Sequence, residues 1–419
     1  MTGRIIEGHA LAVLRDMEED SVNCCVTSPP YWGLRSYNTD GVVWGGDDAC
    51  EHEWATESRR GMSGGLTEKQ ITNAGSYHAV HEHAFCRKCG AWRGELGLEP
   101  TPELYVAHLV GIFREVRRVL KEDGTLWLNL GDSYTSAGTQ VGIGGSKKQN
   151  SNAGPVCREK PGLAPNLKPK DLVGIPWRVA FALQADGADM RALAAIDKAE
   201  SAIWAAYDDV EDVPDRVLAV LERLRLEYAG AKGESWWLRS DIIWHKPNPM
   251  PESVRDRPTK AHEYVFLMSK AKRYYYDAEA VKEAVRYGPS DIKKMEEQRD
   301  RISAKHLSND PGPLAKASHR TNIGRKRGVG NPSGRNRRSV WTITTTPFPG
   351  AHFAVFPKEL PELCIKAGCP EGGTVLDPFM GSGTTGLVAE SLGRNWIGIE
   401  PNPEYVEMAR RRTAQVGVL

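Results

Sequence analysis

A doubly wound α/β sheet is the fold this chain predicts, and three observations carry that expectation. A short apolar run, Thr374-Val375-Leu376, passes into the turn Asp377-Pro378-Phe379-Met380-Gly381-Ser382-Gly383-Thr384-Thr385 and then into a helix start, Gly386 to Leu392. A strand, a glycine-rich turn and a helix let backbone approach a nucleotide-like ligand closely. A second apolar strand, Trp396-Ile397-Gly398-Ile399, ends on Glu400. An acidic side chain about 20 residues beyond such a turn is placed to accept from a ribose diol. The third observation lies near the other end, where a strand over Val22 to Val26 runs into Thr27-Ser28-Pro29-Pro30-Tyr31-Trp32. Paired prolines can neither continue a strand nor open a helix interior, so the chain leaves the sheet in a rigid extended shape. A hydroxyl, a carbonyl and an aromatic face are thereby held at the carboxyl end of a strand, where open α/β sheets bind ligands.

The glycine turn also narrows the ligand. The turn Gly381-Ser382-Gly383-Thr384-Thr385-Gly386 has Gly-x-Gly-x-x-Gly spacing, but no phosphate-loop lysine follows it, which argues against ATP. A ligand with a ribose and no phosphate chain to cradle fits better.

Between these ends, Cys50-Glu51-His52 and Cys86-Arg87-Lys88-Cys89 supply three thiols and an imidazole, with Gly90 after the second pair. Two close pairs of soft or borderline ligands suit tetrahedral, structural zinc. A zinc-binding loop is therefore expected within 44–98, held by Cys50, His52, Cys86 and Cys89. The first pair has a single intervening residue and the gap between pairs is long; His78, His81 and His83 lie in that gap as alternatives to His52. The plain reading against a metal is reduced cysteines beside exposed histidines.

Further on, Gly131-Asp132-Ser133 resembles the nucleophile block of some esterases, but the Asp-x-x-His partner near the C-terminus is absent. From Asp189 to Tyr228, apolar residues recur at helical spacing around the breaker Pro214, which predicts a helical hairpin inserted over 187–235. From Tyr287 to Arg338 the chain is strongly basic, and Gly, Pro, Asn and Ser interleave its second half as in a loop. Arg325-Lys326-Arg327 and Arg335-Asn336-Arg337-Arg338 suit phosphates, and Arg and Asn also read base edges in the major groove. The plain alternative is a solvated loop that orders only on nucleic acid.

Composition bounds the rest. With 55 basic against 54 acidic residues the chain is not a globally basic nucleic-acid binder, so any positive surface is local. Its eight cysteines form no small secreted framework, and neither a signal peptide nor an apolar run of membrane length is present. The expectation is no membrane and a place in the cytoplasm, nucleoid-associated in use.

The motifs together carry a resemblance. Asp377 to Thr385 resembles the AdoMet-binding motif of the amino-methylating DNA methyltransferases, and Ser28-Pro29-Pro30-Tyr31 resembles their catalytic tetrapeptide. Catalytic motif first and cofactor motif last is the order of the permuted beta group. Leu126 to Asp132, Trp244 to Pro251, Thr259 to Glu263 and His352 to Pro357 match further segments of that group. The resemblance spans most of the chain, with two inserted regions outside it.

It implies a Rossmann-like methyltransferase sheet, AdoMet as cofactor and double-stranded DNA as partner. Carried over by position, the cofactor contacts are Asp377, Phe379, Gly381, Gly383, Thr384, Thr385 and Glu400, with Phe356 and Pro357 walling the methionine end. Simple core packing is the alternative for Phe356. The implied layout is a catalytic part over 1–186 and 236–286, a target-recognition region over 287–345 bearing the DNA-binding arginines and lysine, and an AdoMet part over 346–419.

The chemistry explains the tetrapeptide. The lone pair of an exocyclic base amine is delocalised into the ring. Acceptors on its two hydrogens stabilise the charge that develops during methyl transfer. Ser28 Oγ and the Pro29 carbonyl supply them, and Tyr31 stacks on the base once it is swung out of the duplex. A thiolate nucleophile is not expected, since Cys369-Pro370 has the reverse order of the ring-carbon enzymes and Cys24-Cys25 lie inside a strand. Serine at the first position resembles the N4-cytosine members, whereas N6-adenine enzymes more often carry Asp or Asn there. Zinc would be structural, because methyl transfer has no use for it. Other readings stand beside this one: a DNA-binding member of a restriction-modification system that no longer turns over, and, more weakly, an RNA substrate. A cognate restriction endonuclease is an expected partner. For the helical insertion, a homodimer contact, a clamp on the recognition region and plain surface decoration stay open.

Overall fold

The computed structural model describes residues 3–33, 37, 39, 41–47, 49–54, 84–135, 167–186, 235–284, 294, 297, 334–346 and 355–414. In chain order the elements are β1 (Gly3–Glu7), α1 (Ala10–Arg15), β2 (Val22–Thr27), β3 (Val42–Trp44), β4 (Ala84–Phe85), β5 (Trp92–Gly94), α2 (Pro102–Val119), β6 (Leu120–Leu130) and α3 (Ile175–Ala185). They continue with β7 (Trp237–His245), β8 (His262–Ser269), β9 (Val340–Thr342), α4 (Glu359–Gly368), β10 (Thr374–Asp377), α5 (Thr384–Ser391), β11 (Asn395–Glu400) and α6 (Pro403–Ala414). The strands expected at 22–26, 374–376 and 396–399 are all present, each a residue or two longer. Residues 187–234 of the expected helical hairpin, the cluster Arg325-Lys326-Arg327, residues His78, His81 and His83, and the segment His352 to Ala354 lie outside the described residues.

The large sheet runs β1-β11-β10-β2-β6-β8-β7-β9. From β1 to β6 neighbours are parallel; β8 lies antiparallel between β6 and β7; β9 pairs parallel with β7. Both faces are covered, and side-chain alternation shows it. Cys25, Leu126, Leu128, Leu130, Phe266 and Met268 pack with residues of α1, α2 and α3 in one core cluster. Their neighbours Cys24, Val26, Trp127, Val265 and Leu267 pack with residues of α4 and α5 in the other. A period of two on a sheet buried on both sides yields the near-continuous apolar strands seen here.

Helix α2 shows how the sequence sets one covering element. The Thr101 side chain accepts from the Leu104 N–H at 3.2 Å and Pro102 opens the first turn; Glu103 stands there too, and Arg117 and Arg118 close the last. A cap of this kind contributes about 1 kcal/mol, and the acid-first, base-last order suits the helix dipole. Tyr105, Leu109, Ile112, Phe113 and Val116 form the buried stripe against the sheet.

The winding reverses between β10 and β2. From β2 the chain crosses by α2 to β6 on one side; from β10 it crosses by α5 to β11 on the other. The carboxyl ends of β10 and β2 therefore flank a topological switch point, where ligands bind in open α/β sheets. The small sheet β3-β5-β4 is antiparallel and separate from the large one.

Candidate active site and metal centre

Register places the two sequence motifs side by side. With Leu376 opposite Cys25, the ends of β10 and β2 are neighbours, and Thr27 Oγ1 donates to Asp377 Oδ1 at 2.6 Å. Thr385 Oγ1 donates to Asp377 Oδ2 at 2.6 Å, and the Phe379 N–H to Oδ1 at 3.0 Å. Asp377 is 3% exposed, and burial raises its carboxyl to about 6 against the pull of those donors. It ties the end of β2 to the turn and α5. Thr385 shares that role, and Thr384 Oγ1 accepts from Arg412 Nη1 of α6 at 3.2 Å.

The glycines divide their labour. Gly381 has φ of 50° and donates its N–H to Glu400 Oε2 at 2.9 Å. Gly383 has φ of 84° and caps α5; a Cβ there would come within 2.8 Å of the Ala409 Cβ, so its missing side chain serves the packing of α5 on α6. Close approach to a ligand was the expectation for both, and at Gly383 helix packing is the constraint observed.

Glu400 ends β11, 6% exposed, and accepts from the Gly381 and Asn402 N–H groups on separate oxygens. Burial lifts its carboxyl to about 7. A carboxylate has about four acceptor positions, so it can still take two ribose hydroxyls. The donor set thus fits AdoMet. Phe379 is half-buried with its ring 6.4 Å from that of Phe113, and Phe356 packs on the core cluster that contains Trp127 and Trp341. The Pro357 carbonyl accepts from the Leu360 N–H at 3.1 Å.

At the other motif the structure adds residues to which the sequence assigned no role. Ser28 Oγ donates to Tyr31 Oη at 3.3 Å, and Tyr31 Oη donates to Glu263 Oε2 at 2.8 Å. Asn129 Nδ2 donates to both Tyr31 Oη and Glu263 Oε2, at 2.8 and 2.9 Å. Lys246 Nζ donates to Glu263 Oε1. Burial, then the neighbouring Glu263, pushes the Tyr31 phenol well above its ordinary value, so it stays protonated. The ring packs so closely on Gly131 that a Cβ there would sit 2.4 Å from Tyr31 Cε2. Tyr105 Oη fixes the turn from below, donating to the Pro30 carbonyl at 2.7 Å. Asp132 holds α3, its Oδ1 accepting from the Ser133, Gly174 and Ile175 N–H groups, which is a capping role and no part of an esterase.

The expected metal ligands meet. One ligand atom from each of Cys50, His52, Cys86 and Cys89 lies within 4.8 Å of all the others. The Cys50 and Cys86 sulfurs are 3.9 Å apart, and Cys89 Sγ is 3.4 Å from His52 Nδ1. Tetrahedral zinc with bonds of about 2.3 Å sets its sulfurs about 3.8 Å apart. Gly90, at φ of 74°, returns its N–H to the Cys86 carbonyl at 2.9 Å and closes the knuckle.

The strand leaving this centre props the catalytic turn. Beyond β5, the Gly97 carbonyl accepts from the Gly33 N–H at 2.8 Å and the Glu99 carbonyl from Trp32 Nε1 at 2.9 Å. Trp44 of β3 stacks on His108 of α2 with ring centroids 4.4 Å apart.

Of the arginines assigned to DNA, Arg335 and Arg338 both pair with Glu283, and Arg337 Nε donates to the Val281 carbonyl at 2.8 Å. The Arg338 backbone N–H foremost, with the two guanidinium groups, holds Glu283 down at about 2. These arginines are tied to Glu283 and Val281, and the charge of Arg335 and Arg338 is partly neutralised there.

Comparison with known proteins agrees with this geometry. The N6/N4 methyltransferase family model, described as DNA methylase, matches residues 22–411. Type II methyltransferase M.SmaI of Serratia marcescens is 36% identical over 409 residues, covering 98% of this chain and 90% of that protein. Type II methyltransferase M.Cfr9I of Citrobacter freundii is 36% identical over 408 residues, 97% of this chain and 86% of its own. Among solved structures, PvuII DNA methyltransferase (cytosine-N4-specific) is similar at 16% identity and a TM-score of 0.46, over 98% of this chain and 86% of that one. Matched by that model over residues 22–411 and 36% identical to M.SmaI over 98% of its length, the chain belongs to the N6/N4 DNA methylase family and is an AdoMet-dependent DNA methyltransferase.

Proposed function

We propose that the protein methylates the N4 amine of cytosine within a specific duplex DNA sequence. The observation that carries this is the polarity at Ser28: its hydroxyl proton points to Tyr31, which leaves the oxygen to accept from a base amine. The Pro29 carbonyl is the second acceptor, and the Tyr31 ring is the surface for the flipped base, whose amine is out of reach inside the duplex. AdoMet, when bound, supplies the methyl group as a sulfonium electrophile. Glu400 orients it through the ribose, and the Asp377–Thr27 tie sets the spacing between cofactor and base loops. In-line positioning of this kind is worth roughly 7–11 kcal/mol.

Zinc at Cys50, His52, Cys86 and Cys89 is part of the same proposal, as a structural ion that fixes the prop beneath Pro30 to Gly33. The Type II names of M.SmaI and M.Cfr9I support a cognate restriction endonuclease and a place in the cytoplasm with the DNA. An intact tetrapeptide and an intact ribose site speak against an idle binder.

Mass spectrometry of nucleosides from DNA treated with labelled AdoMet tests the base. Labelled N4-methylcytosine is expected. N6-methyladenine would keep the family mechanism and overturn the assignment from Ser28; no label in unmodified genomic DNA of several compositions would overturn the catalytic reading.

A further inference from the structure

The polar chain behind Ser28 runs in one direction. Asn129 uses Nδ2 to reach both Tyr31 Oη and Glu263 Oε2; turning the amide over would set its oxygen against the carboxylate. Tyr31 has a single proton and gives it to Glu263, so at its contact with Ser28 the serine is the donor. An ionised carboxylate only accepts, and Lys246 pairs with Glu263 from the far side. Every donor therefore points away from the place of the base amine and towards one carboxylate.

We propose that Glu263 is the proton terminus of the reaction, reached from the target amine through Ser28 and Tyr31. The inference rests on the reading that Ser28 faces the amine. When the nitrogen takes the methyl group it becomes cationic and must lose one proton. The N–H bond breaks and its electron pair stays on nitrogen, while the proton passes to Ser28 Oγ. Ser28 hands its own proton to Tyr31 Oη, and Tyr31 hands its proton to Glu263. Serine and tyrosine end neutral; one N–H bond is lost and one carboxyl O–H is gained. Lys246 and Asn129 are positioning residues that hold the carboxylate aimed at Tyr31.

The arrangement comes from three strands. Asn129 lies at the end of β6, Lys246 follows β7, and Glu263 lies at the start of β8, which is antiparallel between them. The charged and titratable groups around Glu263 are Lys246, Tyr31, Lys260 and His262. Lys246 pairs with the carboxylate directly, and burial holds His262 below its ordinary value.

Single-turnover methylation by Glu263→Gln, Glu263→Asp, Tyr31→Phe and the Glu263→Gln/Tyr31→Phe double variant tests this on the full chain with duplex DNA and AdoMet. Glu263→Gln and Tyr31→Phe should each lose on the order of 10²-fold in rate with AdoMet affinity unchanged, which also reports folding. The double variant should lose no more than the worse single one, because both cut the same chain. Glu263→Asp should restore part of the rate, because it returns a carboxylate to the end of the chain. Multiplying losses, or a Glu263→Asp variant as slow as Glu263→Gln, would overturn the relay while leaving the methyltransferase reading intact. If Ser28→Ala were as fast as wild type, the reading of Ser28 would be at fault instead.

Discussion

At Glu400, burial lifts the carboxyl from an ordinary 4.5 to about 7, and two consequences follow from linkage. The folded state keeps a proton that the unfolded chain releases between those values, so the ligand-free protein loses stability as pH rises through that window. Asp377, raised to about 6 from 3.8, acts in the same direction. Ribose hydroxyls donate to the ionised form, so AdoMet binding must expel the Glu400 proton below about 7. AdoMet affinity should therefore weaken towards acid by up to about tenfold per pH unit. Titration calorimetry at about pH 6 and about pH 8 should show this for wild type, and a weaker, pH-independent affinity for Glu400→Gln. A wild-type affinity flat across that range would remove Glu400 from the cofactor site. Glu400 was legible in the sequence because strand, turn, helix and strand are consecutive and their spacing is local. The Thr27–Asp377 tie was not, since 350 residues separate its ends.

Among elements, the small sheet has the clearest separable role. The four candidate metal ligands cluster beside it, and the chain beyond β5 meets the proline turn at Gly33 and Trp32. Purified protein should contain about one zinc per chain. Stripping it, or Cys86→Ser, should depress turnover at least about tenfold while AdoMet binding at the Gly381–Glu400 end changes little. Metal analysis with single-turnover kinetics and calorimetry would check this; a metal-free preparation of full activity would dismiss the centre. The ligands could be nominated from sequence because Cys-x-x-Cys is a local pattern. Their effect on catalysis could not, because it passes through Gly97 and Glu99 to a turn far away in sequence, Trp32 and Glu99 being 67 residues apart.

For the whole molecule, a net charge of +1 means that DNA must be held by local charge. Arg335 and Arg338 share Glu283, which partly neutralises them, so Arg325, Lys326 and Arg327 are the better candidates for phosphates. Replacing those three should lower the salt dependence of DNA binding by about 0.9 for each phosphate no longer neutralised, and replacing Arg335 and Arg338 should lower it less. Binding isotherms at several salt concentrations decide between the two clusters. An equal effect of both would return the arginines beside Glu283 to the DNA surface. Among the described residues, no helix is long and apolar enough to cross a membrane.

Consecutive residues are enough to specify the α/β class, the cofactor turn with its acidic partner and the proline turn, because the backbone limits behind each are local. What stands behind Ser28 is settled by three-dimensional packing alone. Glu263 lies 232 residues beyond Tyr31 and Asn129 lies 98 beyond it. They converge because β8 enters antiparallel between β6 and β7, with Leu130 opposite Tyr264 and Trp244 opposite Glu263. Strand order and register follow from burying both faces of the sheet at once. A shift of one residue would turn Leu128 and Trp127 to the wrong faces and carry Asn129 away from Tyr31.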